Sequence, residues 1–126
     1  MQNPRKPETQ AAYEAFLNDP NSSAKDQRFN FSEEQINAEY QHWYIIKSRF
    51  PYDTMVRVND ILVSKRPVSS FKELNNDEHD EYHKIIDDLA AQGIYDARIE
   101  NFPRAQSVKR HIHVHLICWH NTASGQ

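Results

Sequence analysis

Three histidines stand at alternate positions near the end of the chain, in the run Arg110-His111-Ile112-His113-Val114-His115-Leu116-Ile117. Because side chains alternate between the two faces of a β-strand, the three imidazoles are expected on one face, about 6.5 Å apart. The apolar residues between them take the other face, as in a half-buried strand. Burying three imidazole rings for a structural purpose alone is energetically unfavourable, since each buried ring needs hydrogen-bond partners for both nitrogens. The pattern therefore favours a functional role, because histidine is the side chain that titrates near neutral pH and can exchange protons there.

Two kinds of chemistry fit this row: metal binding, or nucleophilic catalysis by the central histidine while its neighbours bind charge. The ends of the row are about 13 Å apart on a flat strand, too far to share one zinc ion with bonds of about 2.1 Å. The nearby candidates for further ligands, His120 and Glu100, are unconvincing. Immediately upstream, Gln106 and Ser107 carry groups that can donate hydrogen bonds to phosphoryl oxygens. The local sequence favours a phosphate-containing substrate, with metal binding as the weaker alternative.

The run from His111 to Ile117 fits the pattern His-φ-His-φ-His-φ-φ, where φ is apolar, and so resembles the histidine triad (HIT) superfamily of nucleotidyl hydrolases and transferases. Asn101 and Gln106-Ser107-Val108 resemble the residues before the triad in its Hint branch. The segment from Ile61 to Pro67 looks like the family's strand and basic turn. The resemblance covers about residues 40 to 119 and is nearest to a divergent Hint-like member.

The resemblance implies a nucleotide hydrolase or nucleotidyl transferase that cleaves at the α-phosphate of a nucleotide derivative, with purine nucleotides as the expected substrates. His113 would be the nucleophile that forms a nucleotidyl-histidine intermediate, and His111 and His115 would flank it. The residues implied for binding phosphate or nucleotide are Gln106, Ser107 and Asn101. The resemblance implies no metal or other cofactor. It also implies that the protein forms a homodimer. A catalytically inactive protein that binds a nucleotide or a partner protein is the first alternative, and a His-ligated metallohydrolase is the less favoured one.

The composition limits the class of protein. A chain of 126 residues, 38% hydrophobic and 26% charged, is long enough for one domain with its own core. No apolar run approaches the roughly 18 residues of a spanning helix, and no secretory signal follows the first residues, so a cytoplasmic protein without a membrane partner is expected. The net charge of −3 gives no strong signal for nucleic-acid binding. Cys118 is the only cysteine, which excludes intramolecular disulfides.

The order of helical and extended segments predicts the fold. Residues 1–30 are polar and interrupted by prolines, which predicts an N-terminal extension with one short helix, followed by a HIT-like domain over residues 31–126. Ser32 and Gln35 fit a capping box and predict a helix from about Ser32 to His42. A second helix is predicted from Asn75 to Gln92, where Gly93 ends it. The predicted extended runs are Trp43 to Phe50, Met55 to Ser64, Tyr95 to Ile99 and Val108 to Trp119.

Because the first two of these runs are joined by a short turn, they are expected to pair antiparallel. The predicted fold is therefore α+β, with a mainly antiparallel sheet and helices packed on one side. The resemblance to the HIT superfamily implies about five strands in this sheet. Aromatic residues cluster around the first run, at Trp43, Tyr44, Phe50 and Tyr52. Such rings can stack on a base, but burial in the core is the simpler interpretation.

Overall fold

A computed structural model describes residues 3–26, 29–102, 108 and 111–120, and a five-stranded antiparallel sheet forms its centre. The strands are β1 (Ile36–Glu39), β2 (Trp43–Lys47), β3 (Val56–Ser64), β4 (Ala97–Ile99) and β5 (His113–Trp119). They lie in the order β1-β2-β3-β5-β4, and each neighbouring pair is antiparallel. The α-helices of the described part are α1 (Pro7–Asn18) and α2 (Asn76–Gln92). The predicted α+β class and five-stranded antiparallel sheet are confirmed.

Helix α2 has the start and end that its sequence predicts. The Asn75 side chain accepts a hydrogen bond from the Glu78 amide at 2.9 Å, and the Glu78 carboxylate accepts one from the Asn75 amide at 2.9 Å. This reciprocal pair satisfies two amides that the first turn leaves without helical partners. At the other end Gly93 adopts a left-handed conformation with φ of 66°, which a residue without a Cβ takes at no steric cost.

One face of the sheet packs against α2 to form the main core. The apolar stripe of the helix lies on the residues of β5 that alternate with the histidines. Trp43 is fully buried there, with its ring 5.1 Å from that of Tyr82 and its Nε1 donating to the Glu78 carbonyl at 2.9 Å. Burial of this face holds β5 in register, so that the other face of the same strand presents the histidines. No helix within the described ranges has the length and hydropathy needed to cross a membrane.

The helix predicted from Ser32 to His42 is wrong. The chain instead makes one 3-10 turn over Phe31–Glu33, where the Asn30 side chain accepts from the Ser32 amide at 3.2 Å, and then continues as edge strand β1. Residues of β1 pair with β2, Ala38 opposite Ile45. The sheet ladder satisfies the backbone groups that a helix would have paired internally. The helical spacing was a coincidence, because its last apolar member, Trp43, begins the next strand.

The N-terminal segment is tied to the loop between β2 and β3. Asp53 in that loop accepts hydrogen bonds from the Lys6 amide at 2.7 Å and from the Thr9 hydroxyl. The Thr54 amide donates to the Pro4 carbonyl at 2.9 Å. These bonds explain why α1, a helix too short to be stable alone, has a fixed place in the fold.

Of the two α-helices in the described ranges, α2 covers the apolar face of the sheet. Helix α1 borders the face of the sheet that carries the histidines. The rings of Tyr13 and Phe16 in this helix pack 5.4 and 5.2 Å from the ring of Phe50. Phe29 and Phe31, which follow α1 in the chain, pack on Ile46, Ile61 and Val63 of the same face. The N-terminal residues therefore cover part of the surface from which the histidines project.

Candidate active site

His111, His113 and His115 are buried side by side on one face of the sheet, with 4%, 6% and 6% of their surface exposed. Strand β3 lies alongside, with Val63 opposite His113 and Ile61 opposite His115. The alternation of the sequence predicts this arrangement, and burial makes each ring dependent on specific hydrogen-bond partners. Those partners decide which nitrogen of each ring carries the proton.

His113 has its proton on Nδ1. That nitrogen lies 2.9 Å from the backbone carbonyl oxygen of His111, and a carbonyl can only accept, so Nδ1 donates. Burial lowers the pKa of His113 below its usual value, and the bond to the carbonyl only partly opposes this shift. The ring is therefore neutral at pH 7 and carries a lone pair on Nε2, as a nucleophilic imidazole requires.

His115 has the opposite tautomer, with its proton on Nε2. Its Nδ1 lies 3.0 Å from Nδ2 of Asn59, and the orientation of that amide follows because its Oδ1 accepts from the Tyr52 backbone amide at 3.1 Å. Nδ1 therefore accepts, and Nε2 carries the proton 3.4 Å from the Tyr52 hydroxyl. Burial lowers the pKa of His115 to about 3, helped by repulsion from His113 when that ring is protonated and from Arg5, so the His115 ring is also neutral at pH 7.

His111 accepts at Nδ1 from the Phe29 backbone amide, at 3.1 Å. Its proton is therefore on Nε2, as in His115. The Phe29 ring also meets the edge of His113, with centroids 5.4 Å apart and planes at 89°. Alone among the three histidines, His113 has an unprotonated Nε2. The hydrogen-bond geometry thus leaves a lone pair on Nε2 of the central histidine and a proton on Nε2 of its two neighbours.

A cavity of about 780 Å³, counted out to its open mouth, is lined by His113 and His115. Phe50 and Tyr52 form part of its wall together with aromatic residues of α1. Asn101 also lines it and donates from Nδ2 to the Tyr52 hydroxyl at 3.0 Å. The cavity therefore combines polar groups beside the histidines with flat apolar surfaces on which a base can stack.

The structure brings together those predicted site residues that it describes. His111, His113 and His115 form one row, and Asn101 lines the same cavity as the last two. Gln106 and Ser107 lie outside the described residues. Of the aromatic cluster, Trp43 belongs to the core as expected, whereas Phe50 and Tyr52 line the cavity instead.

Three site residues were missed by sequence reasoning: Arg5, Phe29 and Asn59. Arg5 and Phe29 belong to the polar N-terminal stretch, where no local pattern links them to histidines that are 82 or more positions away in the chain. Asn59 had a usable signal. Asn59 lies two positions before Ile61 on the predicted strand, so the two side chains project from the same face of the sheet. Ile61 lies opposite His115, and that face is therefore the one that carries the histidines.

The metal alternative finds little support in the geometry. Within the described ranges, no group of three or more His, Cys, Asp or Glu side chains is placed to hold one ion. A structural or catalytic zinc site needs three or four such ligands. The Nδ1 atoms of His113 and His115 are also engaged by the protein itself.

Acid is expected to destabilise the fold through His115. Its pKa is about 3 in the folded state against a usual value of 6.5, so the unfolded state binds more protons between these limits. The free energy of unfolding should therefore fall as the pH drops below 6.5, by about 2 kcal/mol at pH 5 for this one group. Urea unfolding of the wild type and of His115→Gln at about pH 7.5 and pH 5 measures the difference. Equal losses in the two proteins would contradict the prediction.

Comparison with known proteins gives similarity to solved structures alone. No model of a protein family matches the sequence, and no curated protein matches it. Among solved structures, the chain is similar to a HIT family hydrolase from Clostridium thermocellum, Cth-393, with 24% identical residues and a TM-score of 0.48. The alignment covers 71% of this chain and 83% of that one. The function is therefore argued from the site itself.

Proposed function

We propose that this protein is a nucleotide hydrolase or nucleotidyl transferase that cleaves at the α-phosphate of a purine nucleotide derivative through a covalent intermediate on His113. The observation that carries the proposal is the pattern of protons on the three histidines. A neutral ring with Nδ1 held by a carbonyl and a lone pair on Nε2 is suited to attack phosphorus. The resemblance of the His111–Ile117 run to the histidine triad supports the same chemistry.

In the first step, Nε2 of His113 attacks the α-phosphorus and forms an N–P bond while the bond to the leaving group breaks. The bonding electrons depart with the leaving group: a polyphosphate leaves as an anion, and an amine takes a proton from water. Positive charge develops on the His113 ring, where the Nδ1–H bond to the His111 carbonyl stabilises it. The Nε2–H of His115 exchanges its long contact with Tyr52 for a phosphoryl oxygen.

In the second step, water attacks the phosphorus and the N–P electron pair returns to Nε2 of His113. The nucleoside monophosphate leaves, and the second proton of the water passes to the solvent. In a transferase, another acceptor takes the place of the water. Neither step uses a metal ion, so the proposed reaction proceeds in the presence of a chelator.

The test is the release of AMP by the wild-type protein from an adenosine 5′-phosphoramidate and, in parallel, from a diadenosine polyphosphate, both in EDTA. An alkaline denaturing quench during turnover, followed by mass spectrometry, should find a nucleotidyl group on the peptide that contains His113. The alkaline quench matters because a phosphorus bond to histidine nitrogen hydrolyses in acid. Release of AMP from either substrate would support the proposal and identify the substrate branch.

The other outcomes distinguish the alternatives. If neither substrate is cleaved while AMP still binds in calorimetry, the protein is a nucleotide-binding module or acts on a different adduct. If activity requires restored metal, the histidine row acts as a metal site. If AMP does not bind, the proposed function fails.

A further inference from the structure

Arg5 projects from the N-terminal segment into the wall of the cavity that His113 and His115 line. Its guanidinium carbon lies 4.1 Å from the centroid of the Tyr13 ring and 4.9 Å from that of Tyr52. The Nε atom donates to the Phe50 carbonyl at 2.7 Å. Two aromatic contacts and one hydrogen bond hold the side chain in place, so little rotamer entropy remains to be lost when it binds a ligand.

The outer nitrogens of this guanidinium have no hydrogen-bond partner among the residues that the structure describes. Among the described residues, the Nε bond to Phe50 is the one hydrogen bond of the Arg5 side chain, and no carboxylate lies within ion-pair distance of it. The other arginine of the cavity wall differs, since Nη1 of Arg49 lies 3.6 Å from Glu34 and 3.8 Å from Glu33. Within the described part of the cavity, Arg5 is thus the arginine whose charge no carboxylate offsets.

We propose that Arg5 binds a phosphate group of the nucleotide at this site, which makes the N-terminal segment a part of the active site. The inference rests on the proposed function, because it assumes a nucleotide in this cavity. A fixed guanidinium whose outer N–H groups have no partner within the described ranges matches the planar, two-point recognition of phosphate oxygens. The anchoring of Lys6 and Thr9 on Asp53 holds the adjoining backbone in position.

The test compares the binding of AMP and of adenosine by calorimetry in Arg5→Gln, Arg5→Lys and the wild type. Arg5→Gln should weaken AMP binding about 10- to 100-fold, because a charge-assisted bond to the phosphate is lost, and should change adenosine binding less than about twofold. Arg5→Lys keeps the positive charge but loses the planar guanidinium, so its affinity for AMP should lie between those of the wild type and Arg5→Gln. Arg57→Gln is the matched control, since Arg57 is exposed on β3 and should bind AMP as the wild type does.

The outcomes separate this inference from the function on which it rests. AMP binding by Arg5→Gln at wild-type strength would overturn the role of Arg5 and leave the proposed function standing. An equal loss of AMP and adenosine binding would also overturn it, since the residue would then only hold the cavity wall together. A wild-type protein that binds no AMP would overturn both proposals.

Discussion

His113→Ala is expected to lower kcat/KM for the cleaved nucleotide by at least about a thousandfold, equivalent to about 4 kcal/mol of transition-state stabilisation. The reason is that His111 and His115 both have a proton on Nε2, so neither neighbour can replace the lost lone pair. AMP binding should largely remain, because the other residues that line the cavity are unchanged. Steady-state kinetics and calorimetry on the same preparation measure both quantities.

The control for this variant is His83→Ala, which removes an exposed histidine from α2 on the opposite side of the sheet and should retain full activity. Thermal unfolding should show that His113→Ala is folded at the assay temperature. The nucleotidyl adduct seen in the wild type should be missing from the variant. Activity within about tenfold of the wild type would contradict nucleophilic catalysis by His113.

Asn59→Leu is expected to lower the free energy of unfolding by about 3 kcal/mol and kcat by about tenfold. Leucine has a similar size but leaves Nδ1 of His115 and the Tyr52 amide without partners, and each buried unsatisfied group costs about 1 to 3 kcal/mol. Without the amide donor, the proton of His115 is free to occupy either nitrogen, so the Nε2–H tautomer that faces the phosphate is less populated. Urea unfolding and steady-state kinetics measure the two effects.

The imidazole ¹⁵N NMR spectrum tests directly whether Asn59 positions the proton of His115, because it distinguishes the two tautomers of the ring. The wild type should show the Nε2–H tautomer at His115, and Asn59→Leu should show a mixture. Asn37→Leu, an exposed asparagine on β1, is the matched control and should change the free energy of unfolding by less than about 0.5 kcal/mol. A single unchanged tautomer at His115 in Asn59→Leu would contradict the positioning role, whatever the loss of stability.

The elements that could be predicted are those whose local pattern agrees with their environment. Helix α2 has a capping box, an apolar stripe and a terminal glycine, and all three are present in the fold. Strand β5 alternates apolar residues with histidines and is buried on one face against α2. The edge strand β1 could not be predicted in the same way, because its pairing with β2 depends on a neighbouring segment and overrides a helix-like local spacing.

The residues of the candidate site also fall into those that a local sequence pattern predicts and those that depend on distant segments of the chain. The histidine row could be recognised because its three members alternate with apolar residues in one short run, and the period of an extended chain places them on one face. Arg5 and Phe29 could not be found, since they reach the row only after the N-terminal segment docks on the loop that contains Asp53. Tyr52 was expected in the core, and the docked segment instead makes it part of a cavity wall.

The sequence by itself determined the α+β class, four of the five strands and the alternation of three histidines with apolar residues, because these follow from periodicities within short stretches of chain. Only the tertiary structure decided which nitrogen of His111 and of His115 carries the proton. Those protons are positioned by the Phe29 amide, 82 residues from His111, and by the Asn59 side chain, 56 residues from His115. A tautomer depends on the hydrogen-bond partner that a buried ring meets in three dimensions, and no local pattern encodes it.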